Sequence, residues 1–205
     1  MSLTSLYHVL LIVSGVLAVA SLLALLFVHA PYGRWASPRW GVQVASSLGW
    51  MLMEAPAAVT MALVFMAAPA HTLAGIVFLV LWEAHYLHRA FVYPFRRTSQ
   101  AKPIPLAVPL MGLTFNVLNG WLNGYWLFVL SGGYLTRWLW DPRFVAGAAL
   151  FVAGFVLNRW ADAILRRLRA PGETGYSIPY GPPYRFVSCP NYLGEITMWL
   201  GWALA

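Results

Sequence analysis

Charge is what this 205-residue chain most lacks. Asp, Glu, Lys and Arg make up 9% of it, against roughly 25% in a soluble globular domain. With 60% apolar residues and a mean hydropathy of +0.67, it cannot cover itself with a water-facing surface, which excludes a soluble protein. Cysteine is nearly missing too. The single thiol, Cys189, excludes an intramolecular disulfide and a multi-cysteine metal site. There is no HExxH, so zinc is not expected, and neither GxGxxG nor GxxxxGK[ST] is present to hold phosphates in a Rossmann turn or a P-loop. The N-terminus, MSLTSLYH, lacks the basic region of a signal peptide, and the apolar run behind it is too long for one. It is expected to be a retained helix. No internal repeat, low-complexity tract or linker divides the chain, so a single membrane-embedded domain is expected over residues 1–205.

What is present is a series of apolar runs. Crossing the hydrocarbon core takes about 20 residues of helix, and such runs occur at residues 6–28, 42–68, 73–95, 106–130 and 144–165. The fifth helix is expected to continue to 169, and a sixth runs over 191–205. The fold class is therefore all-α, a polytopic transmembrane bundle. Basic residues sort its loops. With the N-terminus outside, the inner loops hold Arg34, Arg39, Arg96, Arg97, Lys102, Arg166, Arg167, Arg169 and Arg185, and the outer loops Arg137 and Arg143. By the positive-inside rule the loop 170–190 faces the cytoplasm. The formal net charge of +7 is then largely an orientation signal, and nucleic acid is not an expected partner.

Against this apolar background the polar residues of the helices stand out. Glu54 lies mid-helix in WMLMEAP, and a carboxylate at that depth costs at least ~2.5 kcal/mol, which makes it a functional candidate. The bland alternative is a structural glutamate paired with another helix. Pro56 is expected to loosen the backbone beside it. The third helix reads LWEAHYLHRAFVYPFRR. Glu83, Tyr86 and Arg89 share one flank, and His85, His88 and Arg89 the adjoining one. The histidines also suit interfacial or core hydrogen bonds, whereas a phenol at membrane depth, Tyr86, suits donation to a substrate oxygen. In the fourth helix Asn116, Asn119 and Asn123 form one face with Gly120 and Gly124 beside them, a pattern for ligand binding or for interhelical hydrogen bonding. Asn158, Asp162 and Arg166 recur every fourth residue, and Arg169 continues the stripe. Pro171 and Gly172 then stop the helix. The stretch YSIPYGPPYRF, with Arg185, is suited to clamp a planar phosphorylated ligand. The last segment opens PNYLGE, with Asn191 and Glu195 one turn apart. Helices two to six thus each bring polar groups to membrane depth or to the cytoplasmic mouth. Such groups are not left unpaired in lipid, so a shared polar cavity is expected. Arginines at its mouth and amides and acids deeper in fit a large anionic ligand such as a nucleotide cofactor.

Three blocks, WMLMEAP, HYLHRAFVYPF and NRWADAILRRLRAPGETGYSIPYG followed by FVSCPNYLGEITMWLGWALA, resemble the steroid 5α-reductase family in order from about Pro31 to the chain end. The resemblance implies NADPH-dependent reduction of the Δ4 bond of a 3-oxo steroid, with hydride to C5 and a proton to C4. It implies catalytic roles for Glu54 and Tyr86 at the 3-keto oxygen, with Met53 beside them on the substrate. Lys102, Asn119, Asn158, Asp162, Arg166, Arg169, Tyr176, Asn191 and Glu195 would bind NADPH. Two departures stand out: Met53 replaces the family's usual Gln, and of the seven helices the family implies six are visible, the seventh being either cut off with the end of the sequence or absent. A monomer is expected, in a bacterial inner membrane or the endoplasmic reticulum. The alternatives are a relative acting on a sterol, polyprenol or enoyl thioester, a membrane methyltransferase of the isoprenylcysteine type using S-adenosylmethionine, and a transporter.

Overall fold

The computed structural model describes residues 2–30, 35, 40–96, 102–168 and 177–205. Among them are six α-helices: α1 (Leu3–Leu25), α2 (Ser46–Met66), α3 (Leu73–Leu87), α4 (Ala107–Tyr125), α5 (Pro142–Arg167) and α6 (Pro190–Leu204). The sole sheet among the described residues is a two-residue antiparallel pair, β1 (Gln43–Val44) with β2 (Ile104–Pro105). The fold is all-α, with boundaries within a few residues of those read from hydropathy except where two helices change pitch. After α3 the chain winds through a π-helical turn, His88–Val92, whose wider loop is closed by the Tyr93 N–H on the His88 carbonyl at 2.8 Å. A second π turn, Trp126–Leu130, follows α4. Such turns break the strict 3.6-residue period, so apolar runs 73–95 and 106–130 are helical without being uniform α-helix.

Local chemistry starts and stops these helices. The Ser2 and Thr72 hydroxyls accept the backbone N–H of Ser5 and Gly75, at 3.1 and 3.0 Å, and cap α1 and α3. Asp141 caps α5 through the Arg143 N–H at 2.9 Å, with Pro142 opening the helix. Pro190 opens α6 in the same way.

Length and apolar composition suffice for α1, α2 and α5 to cross a membrane. The surface agrees. Along α1 only Tyr7 is buried, against Trp121, Tyr125 and Trp126, while Ile12, Val16 and Leu22 lie exposed. Apolar side chains displayed along a whole helix have a stable environment in lipid and not in water. The protein is a membrane protein.

The chain separates into two compact units, one holding α1–α4 and the other α5 and α6. In the first, α2 and α4 run parallel, because successive turns of one meet successive turns of the other. Glycines let them close. A Cβ at Gly120 would lie 2.9 Å from the Ala57 carbonyl oxygen, and one at Gly124 would lie 3.1 Å from Val64 Cβ. Trp82 and Phe78 of α3, Met61 of α2 and Phe128 fill the core, and the Trp82 indole N–H reaches the Ala57 carbonyl at 3.1 Å. In the second unit α5 and α6 are antiparallel and closer still. Gly147 and Gly154 of α5, seven residues apart, face Gly201 and Gly194 of α6, also seven apart. A Cβ at Gly147 would lie 2.6 Å from the Gly201 carbonyl oxygen, so only glycine permits this backbone-to-backbone contact. Trp199 meets both Phe151 and Trp202 edge to face, and those two are tilted against each other, while Trp138 donates to the Ala205 carbonyl at 2.7 Å.

Candidate active site

Among the described residues, most of the predicted site residues fall into two groups, one in each unit. In the first unit, Glu54 sits one turn after Trp50 on α2 and faces both the π turn that follows α3 and α4. Its Oε1 lies 3.6 Å from Arg89 Nε, and its Oε2 is 3.4 Å from the Asn116 amide. The same amide donates to the Met53 carbonyl at 2.6 Å. Pro56 lies inside α2 close to this contact; lacking an N–H, it cannot return a hydrogen bond to the Leu52 carbonyl four residues before it and loosens α2 there.

Arg89 is held from three sides. Its guanidinium lies 4.8 Å from the Trp50 ring centroid and 4.9 Å from that of Tyr93, and the two rings meet edge to face at 5.1 Å. Side-chain exposure is 22% for Arg89 and 13% for Glu54. The carboxylate is thus fixed by a cation that is itself fixed by two aromatic faces. Sequence reading placed Arg89 on the flank of Tyr86 without giving it a role. The missed signal is legible in retrospect: Trp50 stands four residues before Glu54, and Tyr93 four after Arg89.

Tyr86 is buried on α3, its ring against Trp82 and edge to face with His85 at 4.8 Å. Its hydroxyl receives the Asn119 amide at 2.9 Å, and Asn119 in turn receives Asn123 at 3.0 Å. The face of three asparagines on α4 is therefore divided between neighbours, Asn116 serving α2 and Asn119 serving α3. Met53 is half-buried and turns its side chain against Gly112 of α4. Lys102 is exposed, just ahead of β2. Glu83 is half-buried, and its Oε1 has no hydrogen-bond partner.

The second unit assembles the other group. The Asn158 amide on α5 reaches across to α6, donating to the Asn191 carbonyl at 3.0 Å and to Glu195 Oε1 at 3.2 Å. Asp162 is buried one turn on, and Arg166 is half-buried in the last turn of α5. Tyr184, which sequence reading grouped only with its neighbouring tyrosines, donates its hydroxyl to the Ala161 carbonyl at 3.1 Å and ties the segment before α6 to α5. Burial first, then the proximity of Asp162 and Cys189, raises the Tyr184 phenol above its ordinary value. Arg169 and Tyr176 lie outside the described residues.

A family model described as 3-oxo-5-alpha-steroid 4-dehydrogenase matches residues 102–205. The chain is 37% identical, over 98% of its length and 79% of the relative's, to steroid 5-alpha-reductase DET2 of Gossypium hirsutum. It is 38% identical to the 3-oxo-5-alpha-steroid 4-dehydrogenase 1 of Macaca fascicularis, over 85% of this chain and 66% of that one. With the human protein of the same name the identity is 36%, over 86% of this chain and 69% of the other.

Proposed function

The chain belongs to the 3-oxo-5-alpha-steroid 4-dehydrogenase family, and from that premise we propose that it is a membrane reductase that saturates the Δ4 bond of 3-oxo steroids with NADPH. One observation carries the reading: two chemically suited groups on different helices, the Glu54 carboxyl and the Tyr86 phenol, are each engaged by an asparagine of α4. An acid and a phenol held in place among packed helices suit a developing enolate oxygen, because groups that need not reorganise stabilise charge best.

The balance of the reaction is simple. NADPH, when bound, supplies the hydride that adds to C5. The π pair of the C4=C5 bond shifts into C3–C4 and the 3-keto oxygen takes the charge as an enolate, and a proton from water then adds at C4. Tyr86 donates a hydrogen bond to that oxygen, Glu54 and Arg89 shape the polar end of the steroid site, and Met53 contributes apolar contact where the family has an amide. The donor set of the second group fits the cofactor chemically. Asn158, Asn191 and Glu195 suit hydroxyl and carboxamide groups, and Arg166 stands at a helix end with Arg167 beside it, as phosphate recognition needs. Lys102, Asp162, Arg169 and Tyr176 complete this set by resemblance. In this reading the enzyme acts as a monomer, with its N-terminus outside and the loop 170–190 in the cytoplasm, on a steroid or related lipid enone.

The test is NADPH oxidation by the purified full chain in detergent or lipid, with progesterone or testosterone as substrate, and mass spectrometry of the product. Gain of two hydrogens with the new C5 hydrogen on the α face is the expected result. NADPH left unoxidised by every 3-oxo-Δ4 steroid and simple enone overturns the reading. Methyl transfer from S-adenosylmethionine would replace it with a different one.

A further inference from the structure

We infer that the segment before α6, from Ser177 to Cys189, is a platform at the membrane interface. Tyr184 ties it inward to α5, while Ile178, Tyr180 and Phe186 insert on its outer side among lipid headgroups, with Arg185 on a headgroup phosphate. The inference is independent of the reduction proposed above.

The segment is fixed before any lipid meets it. The Arg185 N–H donates to the Gly181 carbonyl at 3.1 Å and the Phe186 N–H to the Pro183 carbonyl at 3.2 Å, which closes residues 181–186 into a compact turn. The Tyr184 hydroxyl fastens that turn to the Ala161 carbonyl at 3.1 Å. The rings that sequence reading grouped as one clamp are thereby divided. Tyr184 turns to α5, whereas Tyr180 and Phe186 are 81% and 80% exposed, and Ile178 is 70% exposed. Apolar side chains displayed together on a preset turn mark a surface for a partner, because ordering them has already cost its entropy.

Depth names the partner. The 26 residues of α5 make ~39 Å of helix, against ~30 Å of hydrocarbon core, so part of the helix stands among headgroups. Residues 144–158 hold no ionisable group, and Arg159, Asp162, Arg166 and Arg167 follow, which puts the excess at this end. The first turn of α6 is level with Asn158, whose amide meets the Asn191 carbonyl. Tyr184 meets α5 one turn further on, at Ala161. The turn 181–186 therefore lies beside the part of α5 that has left the hydrocarbon. Val152, Val156 and Trp160, four residues apart, form one exposed stripe, which carries the lipid-facing surface of α5 to the height of the turn. Indole and phenol rings concentrate at this level of a bilayer, with the ring toward the acyl chains and the polar tip toward water. Arg185, exposed on the same turn, supplies the charge that a phosphate pairs with.

The experiment places fluorescent probes in the full-length protein, reconstituted into phosphatidylcholine vesicles. Cys189 is the sole cysteine, so the unsubstituted chain takes one bimane label there. A Cys189→Ser background then carries Tyr180→Cys, Phe186→Cys or Val152→Cys, all at exposed positions. Three quenchers are compared: a nitroxide on the lipid headgroup, a nitroxide at mid-acyl chain, and iodide in the water. Probes at 180, 186 and 189 should lose more fluorescence to the headgroup nitroxide than to the mid-chain one, and less to iodide than bimane in solution does. The probe at 152 should show the reverse order of the two nitroxides. Iodide quenching equal to that of bimane in solution, with neither lipid label effective, overturns the proposal. Protection from iodide that requires NADPH overturns it in favour of the cofactor as the covering group. Protection lost on dilution to one chain per vesicle overturns it in favour of a second copy. The label at Cys189 requires no substitution, so a folding defect in a variant leaves the test intact.

Discussion

Replacing Gly194 with alanine should do far more than a single methyl group normally does. An ideal Cβ there would lie 2.5 Å from the backbone nitrogen of Asn158, 2.7 Å from the Gly154 carbonyl oxygen and 2.9 Å from Asn158 Cα. Non-bonded carbon atoms settle at ~3.5–4.0 Å, so α5 and α6 must part by about 1 Å. All three neighbours are backbone, and no rotamer change relieves them. Moving α5 away also lengthens the two bonds that Asn158 makes across the seam, now 3.0 and 3.2 Å, to about 4 Å, beyond useful hydrogen bonding. Overpacking costs ~1–3 kcal/mol and the two bonds ~0.5–1.5 kcal/mol each. The better helix propensity of alanine returns ~0.5–1 kcal/mol. The net loss is about 1–5.5 kcal/mol, or roughly 2–22 °C in Tm for a chain of this size.

The assay is thermal unfolding in detergent with and without NADPH, beside titration of the cofactor. Gly194→Ala should lower Tm in both conditions and weaken NADPH, because Asn158 and Glu195 no longer hold each other. Gly15→Ala is the control. It lies on α1, where nothing approaches within 4 Å of an added Cβ, and should leave Tm unchanged or slightly raised. A Gly194→Ala protein that melts with the wild type would refute the claim that this seam is at its contact limit. One that melts early but binds NADPH as before would separate the seam from the cofactor site.

The other outcomes concern charge. Arg89→Met should raise KM for the ketone and lower kcat/KM about 10-fold, the worth of a partly exposed ion pair of ~1–2 kcal/mol, with NADPH affinity unchanged. Arg89→Lys should rescue it poorly, since an ammonium does not stack between Trp50 and Tyr93 as a guanidinium does. Equal losses for ketone and cofactor would contradict the assignment. At the start of α5, hydrogen bonds from the Arg143 side chain and backbone hold the Asp141 carboxyl below its usual range. A depressed folded-state value contributes stability above the unfolded value and loses it as pH falls through the folded one. Tm should therefore drop on acidification below the ordinary carboxylate range, and Asp141→Asn should flatten that part of the profile; identical acid limbs would remove Asp141 from the account.

Hydropathy alone was enough to locate the six α-helices of the described residues, because an apolar run of membrane length has few other stable forms. It did not show that residues 88–92 and 126–130 wind as π turns, since both are as apolar or amphipathic as their neighbours and pitch is settled by packing. Glu54 and Tyr86 were legible individually as ionisable groups at depth. Their partners were less so. At about 100° per residue, Asn119 lies about 60° round the helix from Asn116, so both read as one face. That 60° is enough to send one amide to α2 and the other to α3 when both neighbours pack closely.

The same limit explains why Asn158 and Glu195 could be named but not paired. Helical spacing says which residues share a side of their own helix, and says nothing of register against another. Register here is set by Gly147 and Gly154 meeting Gly201 and Gly194, residues with no chemistry to attract notice. Their seven-residue spacing on both helices is what brings an amide of α5 within 3.2 Å of a carboxylate of α6. A polar site built within helices thus depends on residues that carry no polar side chain. The glycine seam decides the distance at which Asn158 and Glu195 meet, and so whether they present one hydrogen-bonded surface or two unrelated groups.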